Sequence, residues 1–196
     1  MMEDGRNTSV FLSKRSSILY PYKREETMSV AEITEITQYL TFKLGDEVFA
    51  LDISKVREVL DFTTITKVPQ TPEFMRGVIN LRGSVVPVVD IKLKFGMPMT
   101  EKTVNTCIII TEVTVDGETT VLGALADSVQ EAIDLDPDHI EPAPKIGTKL
   151  KTEFIKGMGK QGDHFIILLD IDKVFSTEEL ALVKTDQVEG PAEEEK

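Results

Sequence analysis

The stretch of residues 77–90, GVINLRGSVVPVVD, decides the fold of this chain. β-Branched residues dominate its two mostly apolar runs, residues 78–81 and 85–89, and such runs are typical of β-strands. The short polar segment Arg-Gly-Ser between them predicts a tight hairpin turn. Pro87 has no backbone N–H to donate, so the second strand is predicted to bend or to lie at an edge on that side. A cation on a short glycine turn between two core strands is presented rigidly to solvent, and we expect Arg82 to serve recognition.

The composition indicates an acidic globular protein. A chain of 196 residues with 41% hydrophobic residues can form one large domain or two small ones. The formal net charge of −12 argues against binding to nucleic acid or to an anionic membrane surface. The single cysteine, Cys107, excludes an internal disulfide and favours a reducing compartment. Purely apolar runs such as residues 165–169 are far shorter than the roughly 20 residues of a membrane span, so we expect a cytoplasmic protein without membrane insertion.

The ordered domain is predicted to occupy residues 38–182. Residues 1–37 show no sustained periodicity and are predicted to be a flexible leader. An alternative is that translation starts at Met28, which would make the first 27 residues upstream sequence. Residues 183–196 end in a Gly-Pro-acidic segment and are predicted to be a mobile acidic tail.

The first half of this domain is predicted to begin with a hairpin and a short helix. Alternation over residues 38–44 indicates a half-buried strand, and Gly-Asp at residues 45–46 predicts the turn to a second strand. Asp52 or Ser54 is predicted to cap a helix that runs to Leu60. The side chains predicted to point inward from the first strand are Leu40, Phe42 and Leu44.

Two further short helices and another hairpin are predicted along the chain. Asp90 is predicted to cap a helix over residues 91–95, and Asp170 is predicted to cap one over residues 171–175. Between them, Asp116-Gly117 predicts a hairpin turn.

The second half of the domain repeats the first. Five residues recur 80 positions later and three recur 73 positions later, which predicts an internal duplication over about residues 38–97 and 105–178. Many short strands, close turns and duplication together predict an all-β fold with short helices, built as two small barrels that share a core. The first set is Phe74, Gly77, Asp90, Ile91 and Phe95, repeated as Phe154, Gly157, Asp170, Ile171 and Phe175. The second set is Val56, Glu58 and Pro69, repeated as Val129, Glu131 and Pro142.

The chain carries no catalytic, metal-binding or cofactor-binding pattern. Residues 157–162 match a dinucleotide fingerprint in letters, but a predicted strand follows them where that motif needs a helix. Residues 134–145 begin like a calcium loop, yet His139 replaces its glycine and Lys145 its glutamate. His139 and His164 have no metal-ligand spacing with the one cysteine. We therefore expect a non-enzymatic protein without cofactor or metal.

Several stretches resemble the motifs of the CheW family. The strongest are residues 74–83, FMRGVINLRG, and residues 86–90, VPVVD. Residues 52–59 and 169–173 are also similar, so the likeness covers about residues 38–182. The resemblance implies two interwoven SH3-like five-stranded β-barrels around a shared core. It also implies a chemotaxis adaptor that couples the cytoplasmic tips of methyl-accepting chemoreceptors to the regulatory domain of the histidine kinase CheA, in arrays at the membrane.

The resemblance also implies a set of receptor-binding residues. Arg82 matches the motif arginine of the family, although a structural role through turn carbonyls or Glu58 is the alternative. Val56 and Glu58 match a receptor-facing helix, and Val56 is equally compatible with a core position. Gly77 is expected to serve the backbone first, through a positive φ or the close approach of a receptor helix. The complete set is Val56, Glu58, Gly77, Arg82 and Gly83.

A second function remains open from the sequence. The chain could be a ligand- or peptide-sensing module that uses the cleft between the two barrels. Such a site needs polar groups that converge in a pocket. The strands, rich in Phe, Val and Ile, offer few of them.

Overall fold

The computed structural model describes residues 35–143 and 150–179. The predicted leader up to residue 34, the alternative start at Met28 and the predicted tail lie outside these residues. The strands of the described ranges are β1 (Thr37–Leu44), β2 (Glu47–Asp52), β3 (Val56–Asp61), β4 (Met75–Leu81), β5 (Ser84–Asp90), β6 (Cys107–Val115), β7 (Glu118–Ala126), β8 (Ser128–Leu135), β9 (Ile140–Glu141), β10 (Ile155–Gln161) and β11 (His164–Leu169). The helices are α1 (Ile91–Lys94) and α2 (Ile171–Val174), with 3-10 turns at Ile53–Lys55, Pro137–His139 and Thr152–Phe154.

The strands form two curled sheets that exchange hairpins. The first barrel is the sheet of strand order β3-β6-β7-β5-β4, and the second barrel is the sheet of order β8-β1-β2-β11-β10-β9. The β6–β7 hairpin, from the second half of the chain, completes the first barrel. The β1–β2 hairpin, from the first half, completes the second. The fold is therefore all-β and interwoven, as predicted.

The two halves use the same backbone contacts. Strand β5 pairs in parallel with β7, and β11 pairs in parallel with β2. The backbone N–H of Asp90 donates to the carbonyl oxygen of Phe74 over 2.7 Å, and the N–H of Asp170 donates to that of Phe154 over 2.9 Å. The β4–β5 and β10–β11 ladders both shift register just before their glycine, Gly77 and Gly157. Residues 80 positions apart thus occupy equivalent places.

Strand β1 is buried on both faces, so the prediction of a half-buried strand is wrong. The predicted inward residues do lie in the central cluster that both sheets share. Tyr39 is also fully buried, in a separate cluster inside the second barrel. Thr41 is buried too, and its hydroxyl donates to the carbonyl oxygen of Glu131 over 2.7 Å. The reason is that β1 lies between β2 and β8, with a core on each side of the sheet. The predicted inward residues are Leu40, Phe42 and Leu44.

The helix predicted to run from Asp52 to Leu60 is wrong beyond Lys55. Asp52 does begin a 3-10 turn, and its Oδ1 accepts from the backbone N–H of Ser54 over 2.9 Å. From Val56 the chain is strand β3, paired with β6, and its exposure alternates residue by residue. A single helical turn forms at a high entropic cost. A β-branched, alternating segment gains more from pairing with a neighbouring strand.

Asp90 caps helix α1 as predicted and is a fully buried carboxylate. Its Oδ1 accepts from the backbone N–H of Lys92 over 3.1 Å. Its Oδ2 pairs with Arg76 Nη1 at 3.0 Å and accepts from the backbone N–H of Thr100 over 2.9 Å. Asp170 begins α2 at the equivalent position, but its side chain makes no capping bond and pairs with Lys173 Nζ at 2.7 Å. The prediction that Asp170 begins the second helix is therefore correct, and the prediction that its side chain caps that helix is wrong.

Gly77 is required by the backbone of the first barrel. Its φ is +131°, and a Cβ there would lie 2.0 Å from the carbonyl oxygen of Thr66. Thr66 and Val78 exchange two backbone hydrogen bonds of 2.9 and 2.8 Å, which hold this close approach. The chain's own Thr66 segment therefore covers the buried Gly77.

We expect Gly77→Ala to destabilise the protein by about 3 kcal/mol or more, because it combines a disallowed φ with a backbone clash. Gly96→Ala is the matched control. Gly96 has φ +70° and open space around its missing Cβ, so it should lose only about 1 kcal/mol. Urea unfolding of both variants measures the difference. Equal losses would contradict a special role for the Thr66 contact.

Ionisation of the buried Tyr39 hydroxyl makes the stability of the fold depend on pH. Its hydroxyl has no hydrogen-bond partner among the described residues. Burial, with a smaller contribution from the charge of Asp52, raises its pKa to about 12. Because the folded-state pKa is above the unfolded value, this contribution is fully present below about pH 10 and is lost as pH rises through about 12.

Tyr39→Phe removes both the unpaired hydroxyl and its titration. We expect the variant to be as stable as wild type at pH 8, or slightly more stable. Between pH 8 and pH 11 wild type should lose about 1.4 kcal/mol more than the variant. Urea unfolding at the two pH values measures this. Parallel losses in both proteins would show that Tyr39 ionises normally.

Candidate functional site

The tip of the β4–β5 hairpin is the two-residue turn Arg82-Gly83, one residue shorter than the predicted turn over residues 82–84, because Ser84 already belongs to β5. Leu81 pairs with Ser84 across the end of the ladder. Arg82 has φ +52° and Gly83 has φ +88°. Two left-handed central residues define a type I′ turn, whose twist matches that of the strands. The side-chain oxygen of Asn80 accepts from the backbone N–H of Gly83 over 2.8 Å and closes the turn.

Arg82 occupies a backbone conformation that favours glycine. A side chain in the left-handed region costs about 1–2 kcal/mol. The equivalent position in the β10–β11 hairpin, 80 residues later, has φ +59° and is Gly162. The same chain thus uses glycine at this position in one barrel and keeps an arginine in the other.

Among residues 35–143 and 150–179, Arg82 pairs with Glu58 and is otherwise open to solvent. Its Nη2 lies 2.9 Å from Oε2 of Glu58 on β3, and the two side chains are 80% and 26% exposed. An exposed ion pair contributes about 0–1 kcal/mol to stability, which is no more than the cost of the left-handed φ. A guanidinium has five N–H donors. The contact with Glu58 therefore leaves most of this cation available.

The predicted site residues divide into two groups. Glu58, Arg82 and Gly83 meet at the tip of the hairpin, and the missing Cβ of Gly83 faces open space. Val56 lies at the start of edge strand β3, half-buried against the central cluster. It therefore lies on a strand rather than on the expected helix, and its packing agrees with the core alternative. Gly77 is buried near the start of β4, where its backbone lies against Thr66, and it contributes to the conformation of the hairpin.

Two neighbours of Arg82 were missed by reasoning from the sequence. Asn80 holds the turn through its side chain. Asparagine often bonds to nearby backbone in turns, so its position just before Leu-Arg-Gly was a usable signal. Val85, directly across from Asn80, is 50% exposed. It stands in a run of apolar residues that predicted burial, and no local signal marks it as exposed.

The cleft between the two barrels offers little support for the alternative function, a ligand-sensing site. A cavity of about 190 Å³ lies where the chain crosses from β2 to β3, and ligand pockets usually enclose about 300–1,000 Å³. Its lysines are paired with its own carboxylates: Lys55 with Asp172 at 2.5 Å, and Lys156 with Asp52 at 3.8 Å. A wider groove of about 570 Å³, beside the fully exposed Val104, belongs to the first barrel alone.

The described residues offer neither a metal site nor a membrane-spanning helix. No group of His, Cys, Asp and Glu side chains in residues 35–143 and 150–179 is arranged to hold a metal ion. None of the helices in the same ranges combines the length and the apolar character needed to cross a membrane.

Known proteins resemble this chain over most of the described region. The model of the CheW-like domain family matches residues 38–179. The chemotaxis protein CheW of Klebsiella aerogenes is 37% identical over 146 residues, which are 74% of this chain and 86% of that protein. The chemotaxis protein CheW of Rhizobium meliloti is 34% identical over 142 residues, which are 72% and 89% of the two chains.

A solved structure agrees with these relatives. The crystal structure of the scaffolding protein TtCheW from Thermoanaerobacter tengcongensis superposes with a TM-score of 0.65 at 38% identity. The match covers 74% of this chain and 90% of that one. The chain therefore belongs to the CheW family, whose members are non-catalytic scaffold proteins of chemotaxis.

Proposed function

We propose that this protein is cytoplasmic and couples the cytoplasmic tips of chemoreceptors to the regulatory domain of a CheA-type histidine kinase, within receptor arrays at the membrane. In this proposal the receptor-binding surface is the tip of the β4–β5 hairpin with the adjacent edge of β3. Arg82 and Glu58 are its polar contacts, Gly83 lets the partner approach the turn, and Gly77 and Val56 shape the surface from beneath. The set is the one that the family resemblance implies: Val56, Glu58, Gly77, Arg82 and Gly83.

The strained, exposed Arg82 is the observation that carries this proposal. Strained backbone positions concentrate at functional sites, because packing and stability alone select against them. Arg82 has φ +52°, is 80% exposed and, in the part of the chain that the structure describes, pairs only with Glu58 at the surface. Its counterpart Gly162 shows that the fold accepts glycine at this position. Stability therefore gives no reason to keep the cation, whereas recognition does.

The chemistry of this surface suits an amphipathic helical partner. Helices commonly bind by laying an apolar face against an apolar surface, with polar contacts that set register. Val85 and Val59, 50% and 41% exposed, supply apolar area on the two strands that meet at Arg82. Arg82 is a local cation on a chain of net charge −12. A carboxylate or a carbonyl at the end of a receptor helix is the expected partner of its free N–H groups.

The kinase contact is proposed for the ends of the barrels. A domain with two equivalent barrels can pair with homologous domains at each end. Repetition of such head-to-tail contacts produces rings when the rotation between successive domains closes. In this proposal the kinase contacts lie at barrel ends away from the Arg82 tip, so the protein can hold both partners at once.

Charge reversal at Arg82 tests the receptor surface. We expect Arg82→Glu to weaken binding to a receptor cytoplasmic fragment by at least about tenfold, because it places two carboxylates together and removes the cation. Lys160→Glu is the control, since Lys160 lies on β10 of the second barrel and forms an exposed ion pair with Glu141 at 2.5 Å. Co-sedimentation measures binding, and circular dichroism checks the fold of both variants. Wild-type binding by folded Arg82→Glu, or equal losses in both variants, would contradict the assignment.

The kinase half of the proposal has its own test. A CheA-type kinase should co-sediment with receptor fragments much more strongly when this protein is added. Arg82→Glu should remove that increase while the variant still binds the isolated regulatory domain of the kinase. Failure of the folded wild-type protein to recruit kinase would overturn the coupling function.

A further inference from the structure

We propose that Asn80 is a positioning residue for Arg82, which it holds in the conformation that presents the cation. This inference rests on the proposed receptor function of Arg82. Asn80 itself is exposed at the end of β4 and its side chain reaches over the turn to the N–H of Gly83 at 2.8 Å. Arg82 lies between these two residues, so this hydrogen bond encloses it.

The energies of the turn are closely balanced. The left-handed φ of Arg82 opposes the turn, and a net hydrogen bond of the kind that Asn80 makes offsets a strain of that size. Gly83, at φ +88°, adds little strain because it lacks a side chain. Asn80 therefore determines how fully the type I′ turn is populated.

The conformation of this turn also determines where the arginine side chain points. With φ at +52°, the Cα–Cβ bond of Arg82 is directed so that the guanidinium reaches Glu58 on β3. A turn with negative φ at this residue would direct the same side chain elsewhere. Glu58 contributes only a surface ion pair and is too weak an anchor to hold Arg82 alone. The side chain of Asn80 supplies the missing constraint.

The second barrel provides an internal comparison. At the position equivalent to Asn80 it has Lys160, whose Nζ lies 2.5 Å from Oε1 of Glu141 and 5.9 Å from the ring centre of Phe165. Lys160 therefore supplies no acceptor to its turn. That turn needs none, because Gly162 takes the left-handed position without strain. Between the β4–β5 and β10–β11 hairpins, the side-chain acceptor occurs with the arginine and not with the glycine.

A double-mutant cycle tests the inference. We expect Asn80→Ala to weaken binding to the receptor fragment about 3- to 10-fold. In an Arg82→Ala background the same change should cost less than about twofold, because Asn80 acts through Arg82. Asn80→Asp keeps the acceptor and should bind within about threefold of wild type. Equal losses from Asn80→Ala in both backgrounds would overturn the positioning role.

Hydrogen exchange of the Gly83 amide gives a readout that does not depend on any receptor. Asn80→Ala should speed this exchange several-fold, and Asn80→Asp should restore its protection. Unchanged exchange in Asn80→Ala would overturn the inference even if Arg82→Ala loses receptor binding. If Arg82→Ala binds the receptor like wild type, the proposed function of Arg82 fails, and the functional part of this inference fails with it.

Discussion

Two reciprocal aromatic contacts hold the two halves of this protein together. The ring of Phe95 lies 6.0 Å from that of Phe154, and the ring of Phe74 lies 6.5 Å from that of Phe175. Phe154 and Phe175 are the counterparts of Phe74 and Phe95, 80 positions later, so each contact joins one half to the other and the second contact mirrors the first. Three of the four rings are buried in the central cluster, and Phe74 packs against it. Each half therefore completes its core only with the other.

Because each half completes its core with the other half, the hairpin tips can differ between the two barrels without changing the fold. The shared core and the exchanged hairpins hold both sheets, so neither hairpin tip has to contribute to stability. One tip therefore tolerates the strain of Arg82, while the other has the unstrained Gly162. A scaffold of this kind gains from rigid tips, because a side chain that is already in place loses little entropy on binding. The difference between the two tips is consequently the clearest functional signal in the molecule.

Much of the fold could be predicted, because it depends on local chemistry. The Arg-Gly turn, the Asp116-Gly117 turn and the cap at Asp90 follow from residues close together in the chain. The segment after Lys55 could not be predicted, because its partner β6 lies about 50 residues further along the chain. The burial of Tyr39 was equally hidden, since it follows from a second core behind β1. In the site, Arg82 and Gly83 were recognisable from the motif and Glu58 was a candidate partner of Arg82, whereas the contact between Arg82 and Glu58 depends on how the sheet brings β3 to the hairpin tip.

The sequence by itself determined most of the strands, the hairpin turns, the internal repeat and the family, since each follows from residue types at short or regular spacing. Only the tertiary structure decided which of the motif residues 77–83 are buried and which are exposed. It buries Gly77 beneath Thr66, and it leaves Arg82 exposed in a left-handed turn that Asn80 closes. The physical reason is that burial and φ depend on which distant segment covers a residue. The stretch GVINLRG thus combines a structural glycine with an exposed arginine, and only the fold shows that the chain's own Thr66 segment, rather than a receptor helix, covers that glycine.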